Sequence, residues 1–278
     1  MGEKISQQKD QKTADAFAAS WNNLPAGSVY TRDQFEDWLS PITGNDVFGK
    51  DVLELGCGNG SLMIHMTTWN PARLVGVDLG DSVESAKKNL SLTGFPNWGV
   101  LKADLISYES DGFDMAYSIG VIHHLKDPKA GFESLIRNTK SGGRFHAWVY
   151  AYEGNDFVRL FVDPIRKVTS HMPWWFTKYI VATPLAVPFF LYAKILNFFT
   201  NLTVLKKMPL YEYSLWIARR EFSFFRHVAF DQLVTPQTKY ISRATIEKWL
   251  AGSPYIDQNS TYIIMRNGNS WKFGGRKK

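Results

Sequence analysis

The chain of 278 residues has one cysteine, Cys57, so it can form no internal disulfide and no cysteine-cluster zinc site. We expect no bound metal, and cysteine poverty fits a reducing, cytoplasmic setting. The stretch 1–15 is polar and lacks the apolar segment of a secretory signal. A net charge of +6 comes without a long basic run or a recognisable RNA-binding module, which disfavours nucleic acid as a partner. Also absent is an unbroken run of about 20 apolar residues. The most apolar region, 174–205, is interrupted by Pro184 and Pro188 and charged by Lys178 and Lys194, so a membrane-spanning helix is not expected.

The remaining composition, 45% hydrophobic and 21% charged, is that of a globular protein. Short apolar segments at 51–55, 74–77, 113–117 and 144–149 read as buried parallel strands, with a weaker one at 99–101. Between them, 61–68, 82–93 and 129–139 read as helices, and this alternation predicts a doubly wound α/β sheet. The turn Lys140-Ser141-Gly142-Gly143 is expected to end a helix before the fifth strand. Residues 1–45 read as a helical preamble in which Phe17, Trp21, Phe35, Trp38 and Leu39 pack on the core of 46–149. From 150 to 235 the alternation stops, and aromatic-rich helical stretches replace it. A helix at 243–250 and strands at 255–265 and 271–274 then complete a C-terminal unit, 236–278, with Asn267-Gly268-Asn269 as a hairpin turn.

The sharpest signal is Val52 to Gly60, VLELGCGNG, a buried strand running into a glycine-rich turn and a helix. Glycines let a backbone approach a ligand closely, and a helix N-terminus offers free N–H groups. The spacing Gly56-x-Gly58-x-Gly60 departs from the dinucleotide fingerprint, which wants Gly or Ala where Ser61 stands. Asp78 ends the second strand about 20 residues further on, where a carboxylate can accept from a ribose diol. Asp104 follows the third strand, within reach of an adenine amino group.

The ordered set ELGCGNG, GVDLG, ADL and FDMAYSIGVIHHL resembles the class I S-adenosylmethionine-dependent methyltransferases, in particular their type 11/12 group, over about residues 50–150. The resemblance implies a Rossmann-like seven-stranded methyltransferase sheet with a mostly helical insertion after the fifth strand, and S-adenosyl-L-methionine as cofactor. It implies that Glu54, Gly56, Gly58 and Gly60 line the methionine moiety. Asp78 with Leu79 would hold the ribose, and Asp104 with Leu105 the adenine. Ser118 and Ile119 would face the sulfonium.

Methyl transfer is an in-line displacement, so positioning carries much of it, and a base is needed where the accepting atom bears a proton. His123 and His124 follow the fourth strand, and imidazole moves protons near neutral pH; packing and capping are the competing roles. Tyr150 and Tyr152 lie just past the fifth strand. His227, near Arg219, Arg220 and Arg226, is a third candidate. Similar enzymes that methylate exocyclic amines carry Asn/Asp-Pro-Pro-Tyr where this chain has SIGVIHH. The expected acceptor is therefore a hydroxyl or carbon of a small or lipid-like molecule. The apolar segment 174–205 reads as a lid over that acceptor, as a membrane-peripheral surface, or as a contact between two copies. The rivals are an RNA methyltransferase and a cofactor-binding protein without turnover.

Overall fold

The computed structural model describes residues 10–18, 27 and 29–278. Trp21, expected to pack on the core, lies outside the described residues. Seven strands form one sheet: β1 (Asp51–Leu55), β2 (Arg73–Asp78), β3 (Trp98–Lys102), β4 (Phe113–Ile119), β5 (Thr139–Tyr150), β6 (Ile256–Arg266) and β7 (Ser270–Lys277), in the order β3-β2-β1-β4-β5-β7-β6. β1 to β5 run parallel, and β7 is antiparallel to both neighbours. The result is a Rossmann-like methyltransferase sheet.

Both faces of the sheet are covered, which is why the central strands β1 and β4 are mostly apolar and mostly buried. Leu53, Leu55, Phe145 and Phe273 pack against Phe132 and Leu135 of α6 (Pro128–Arg137) and Ile246 and Trp249 of α11 (Arg243–Ala251). Val52, Met115 and Tyr117 face the other way, toward α2 (Arg32–Leu39), α4 (Ser61–Thr67) and α5 (Ser82–Ser91). Each fully buried Leu or Phe contributes about 1.5–3 kcal/mol. Start signals match the sequence. Thr31 and Gln34 make a reciprocal capping box on α2, Asp127 caps α6 just before Pro128, and Ser242 caps α11. Asn267 (φ 50°) and Gly268 (φ 67°) are the left-handed residues of the three-residue hairpin loop, 267–269, between β6 and β7.

Two expectations need correction. Residues 140–143 do not form a turn before the fifth strand. β5 already starts at Thr139, opposite Phe113, and its pairing with β4 resumes only at Arg144 opposite Met115. The four residues are an irregularity inside the strand, where Gly142 supplies a φ of 75°. Nor do the prolines of 174–205 break their helix. A π-helical stretch, Phe176–Ala182, runs directly into α8 (Thr183–Phe198), and both N–H and Oγ1 of Thr183 bond the Lys178 carbonyl. That wide turn makes room for the Pro184 ring, and Pro188 sits on an exposed side of the helix.

Between β5 and α11 lie α7 (Asp163–Thr169), α8, α9 (Tyr211–Ile217) and α10 (Phe222–Val234), with α1 denoting the helix over 10–18. Ala186, Ala193, Ile217 and Phe225 make a small core where α8, α9 and α10 meet. Arg166 is buried and ties α7 to α10, pairing with Asp163 and bonding both the backbone and the side chain of Gln232. The segment leaves and re-enters the sheet at one place, where Ala151 bridges Ile241.

His146 of β5 is fully buried, with its two ring nitrogens on the Trp38 carbonyl (2.7 Å) and the Tyr262 hydroxyl (2.8 Å). Burial lowers its pKa from 6.5 to about 4. The stability that neutral His146 contributes is thus complete above about pH 6.5 and is lost as the pH falls through about 4. The urea midpoint should fall steadily between those values; a flat profile would contradict neutral burial.

Candidate functional site

Every strand end that carries a sequence signal opens on one cavity of about 730 Å³, which continues under the helices between β5 and α11. Its floor is the turn after β1. Gly56, Gly58 and Gly60 have φ values of 85°, 53° and 76°, where side chains are disfavoured. At Gly56 a Cβ would lie 2.3 Å from Val121 Cγ2, and at Gly60 it would meet the Ala86 backbone at 3.2 Å. At Gly58 it would meet no atom within 4 Å and project from a cavity-lining backbone. The three glycines serve different ends: two for close packing and one for an open approach.

Asp78 fixes this turn. Its Oδ2 accepts from Gly58 N at 2.9 Å and its Oδ1 from Gly80 N at 2.8 Å. Each carboxylate oxygen has two lone pairs; Ser82 Oγ also reaches Oδ1 at 3.5 Å, so Oδ2 keeps an acceptor direction for one diol hydroxyl and the long Ser82 contact on Oδ1 can give way to the other. Burial raises the Asp78 pKa, and the backbone N–H bonds oppose that rise. Leu79, Asp104 and Leu105 line the same wall. One oxygen of Asp104 accepts from Ile106 N, which shapes the loop after β3.

Glu54 is the one fully buried acidic residue of β1, with Tyr117 donating to it at 2.8 Å. Burial pushes its pKa up to about 8, against the Tyr117 bond. A carboxyl in that state becomes a good partner for a cation, whose arrival favours the ionised form. A glycine cradle open at Gly58, a diol acceptor and a buried carboxyl together fit S-adenosylmethionine, which joins an adenosine to an amino-acid end carrying a sulfonium and an ammonium beside one carboxylate.

The remaining site residues divide. Ile119 lines the cavity, as do Gly120 and Val121, which carried no earlier signal. Ser118 does not: it is fully buried and donates to the Leu55 carbonyl at 2.8 Å, tying β4 to β1. Strand alternation puts neighbours on opposite faces, so Ser118 and Ile119 could not both face the ligand. His123 also misses the cavity. It is packed between His124 and Tyr150, ring centroids 4.1 and 4.2 Å away, and burial holds it well below the usual imidazole range. His124 lines the cavity, but its Nδ1 bonds the Gln237 carbonyl (2.9 Å) and burial lowers its pKa to about 3. Tyr150 lines it too and accepts from Gln232 Nε2 at 2.8 Å; burial drives its pKa upward, away from the phenolate. None of the three is arranged as a base. Tyr152 is exposed and carries the Arg159 guanidinium 3.7 Å above its ring.

The acid–base pair that does face the cavity comes from α10. His227 Nε2 and Asp231 Oδ2 are 3.2 Å apart, one helical turn from each other, and both line the cavity. The sequence marked His227, but its neighbours Arg219, Arg220 and Arg226 are not lining residues. Arg220 instead bonds Thr31 Oγ1 at 3.2 Å. Asp231 was missed, although the i, i+4 spacing from His227 was a readable signal. Asp10, Thr13, Ala14 and Phe17 of α1 close one side of the cavity. Among the described residues, no group of three or more His, Cys, Asp or Glu could hold a metal ion.

Comparison with known proteins agrees with this geometry. Residues 47–153 match the family model described as a methyltransferase domain. A tRNA U34 carboxymethyltransferase of Desulfotalea psychrophila is 25% identical over 177 residues, 58% of this chain and 54% of that protein. One from Campylobacter hominis is 29% identical over 121 residues, 42% of this chain and 41% of that protein. The chain thus spans about half the length of the curated relatives it matches. In fold, the chain is similar to a magnesium protoporphyrin IX methyltransferase from Synechocystis PCC 6803, solved with S-adenosylhomocysteine bound. The TM-score is 0.51 at 14% identity, covering 89% of this chain and 82% of that one. Residues 47–153 thus match a methyltransferase domain, set in a chain that shares its fold with a solved methyltransferase.

Gly56→Ala should cost about 1–2 kcal/mol for its backbone and about 1–3 kcal/mol more for crowding Val121. Gly58→Ala should cost only the backbone share. Chemical denaturation of both variants checks the order; equal losses would refute the separate roles given to these glycines.

Proposed function

We propose that the protein transfers a methyl group from S-adenosylmethionine to a hydroxyl or carbon of a small, largely apolar acceptor, lipid-like in character. The observation that carries this reading is the charge and texture of the cavity. Its described lining holds Asp10, Glu54, Asp78, Asp104 and Asp231, no lysine, and one arginine, Arg266, already paired with Asp37. The ionised carboxylates among these attract a cationic cofactor and repel phosphates. The walls supplied by the helices between β5 and α11, from Phe161, Ile165, Leu185, Phe189 and Phe224, are apolar.

S-adenosylmethionine supplies an activated methyl on a sulfonium. Glu54 and the backbone of the glycine turn hold its amino-acid end, Asp78 accepts from the ribose hydroxyls, and Asp104 faces the adenine. The apolar walls exclude water and fix the acceptor in line. His227, oriented by Asp231, takes the acceptor's proton, which is the role of the ring in a histidine–carboxylate pair.

A second reading, methyl transfer to RNA, draws on the names of the curated relatives. The acidic lining weighs against it, because RNA binding rests on phosphate neutralisation by Lys and Arg.

Glu54, protonated over much of the range below about pH 8, should give up a proton when the cofactor binds. Affinity for S-adenosylmethionine should therefore rise from pH 6 toward about 8, and calorimetry in buffers of different ionisation heat should register the released proton. Glu54→Gln should flatten both. Asp78→Ala should weaken binding about ten- to a hundredfold through the lost charged hydrogen bonds; unchanged affinity would sink the ribose assignment.

Incubation with methyl-labelled S-adenosylmethionine, a total lipid extract and total tRNA should put the label in the organic phase. Label in the tRNA would overturn the acceptor reading. With that acceptor, His227→Asn should lower turnover about a hundredfold while leaving cofactor affinity unchanged. Equal turnover would remove it as the base.

A further inference from the structure

A helix that is apolar all round is normally enclosed by protein or lipid. The continuous helix Phe176–Phe198 is apolar apart from a few residues such as Lys178 and Lys194, long and apolar enough by composition to cross a bilayer, yet only 22% of its most apolar window is buried. Ala182, Ala186, Ala193 and Leu196 turn inward. Ile180, Val187, Leu191, Ile195 and Phe198 form an exposed stripe at helical spacing, and Phe198 is 77% exposed. The patch extends beyond the helix to Leu160, Trp174, Trp175, Leu202 and Val204, the last at 70% exposure. Soluble monomers rarely expose an apolar patch of this extent without a partner for it.

Charge identifies the partner. From Pro164 to Tyr211 the chain has no aspartate or glutamate, although it holds 26 elsewhere. The same stretch carries Arg166, Lys167, Lys178, Lys194, Lys206 and Lys207. Lys167, Lys206 and Lys207 are exposed within the same stretch of chain. Apolar side chains flanked by lysines, with tryptophans at the edge, are the composition of a surface that enters the headgroup layer of an anionic membrane. A second copy of this chain would bring the same positive charge against itself. Spanning is disfavoured because the inner stripe of α8 packs on Ile217 and Phe225, in the unit that carries His227 and Asp231.

The cavity reaches this face. Phe157, Phe161, Leu185 and Met208 line it and are also exposed. We propose that the exposed face of 160–208 lies flat on an anionic lipid bilayer, and that the acceptor passes from the bilayer into the cavity between these residues. The second half rests on the acceptor reading above; the first does not.

Co-sedimentation with phosphatidylcholine vesicles, with and without phosphatidylglycerol, tests the docking. The full chain should pellet with the anionic vesicles and be released by salt. Lys206→Gln with Lys207→Gln should weaken that binding about fivefold per lysine removed and change nothing on neutral vesicles. Trp175→Glu with Phe198→Glu should weaken it at least about tenfold, with S-adenosylhomocysteine affinity intact as proof of folding. Three results would each overturn the proposal: no binding to anionic vesicles, retention that resists alkaline carbonate as a spanning helix does, or a stable dimer in lipid-free sedimentation that buries Trp175 and Phe198. Loss of S-adenosylhomocysteine binding in the unmodified chain would instead strike the methyltransferase reading and leave the vesicle result standing.

Discussion

The carboxylate of Asp78 joins the tips of two parallel strands, taking the Gly58 N–H with one oxygen and the Gly80 N–H with the other. The site depends on this cross-brace. It holds three successive left-handed glycines in a turn that would otherwise be free to relax, and it sets the direction in which α4 leaves the sheet. The same carboxylate is then presented to the cavity, half-spent on the protein's own backbone. Scaffold and ligand share the same two oxygens, so removing Asp78 weakens the turn together with the ligand contact.

Above this brace, the cavity changes character with depth. Near the sheet it is acidic and narrow, bounded by Glu54, Asp78 and Asp104; toward the helices between β5 and α11 it becomes aromatic and aliphatic. The gradient separates two recognition problems. A charged, hydroxyl-rich molecule is read by the strand ends, and whatever accepts the methyl is read by hydrophobic surface. The chain Arg166–Gln232–Tyr150 links the two halves, so α10, with His227 and Asp231, is held in position over the end of β5.

Strand positions, the glycine turn and the acidic residues after β2 and β3 were legible because they are local signals: a run of apolar residues, a spacing, a residue type at a strand end. The errors have a common physical origin. Whether Ser118 or Ile119 faces the ligand depends on the pleat, a matter of one residue in register that apolar runs buried on both faces do not encode. His123 lies one position from a cavity-lining residue, and only packing against Tyr150 decides that its ring turns inward. Pro184 was read as a helix breaker, but a preceding π-turn accommodates it, and nothing in a list of residues announces that geometry. Asp231 became meaningful only once α10 was known to cross the cavity.

The bridge between Ala151 and Ile241 has a bearing on how such a protein can change over time. Because the helical excursion begins and ends at one point of the sheet, its length and content are nearly independent of the core's folding. Loop-closure entropy grows only slowly with the number of residues between two fixed ends. The core can therefore keep its strand order and its cofactor turn while the excursion is lengthened, shortened or exchanged. Acceptor choice is thereby detached from methyl-donor binding, so one can be altered by natural variation without re-inventing the other.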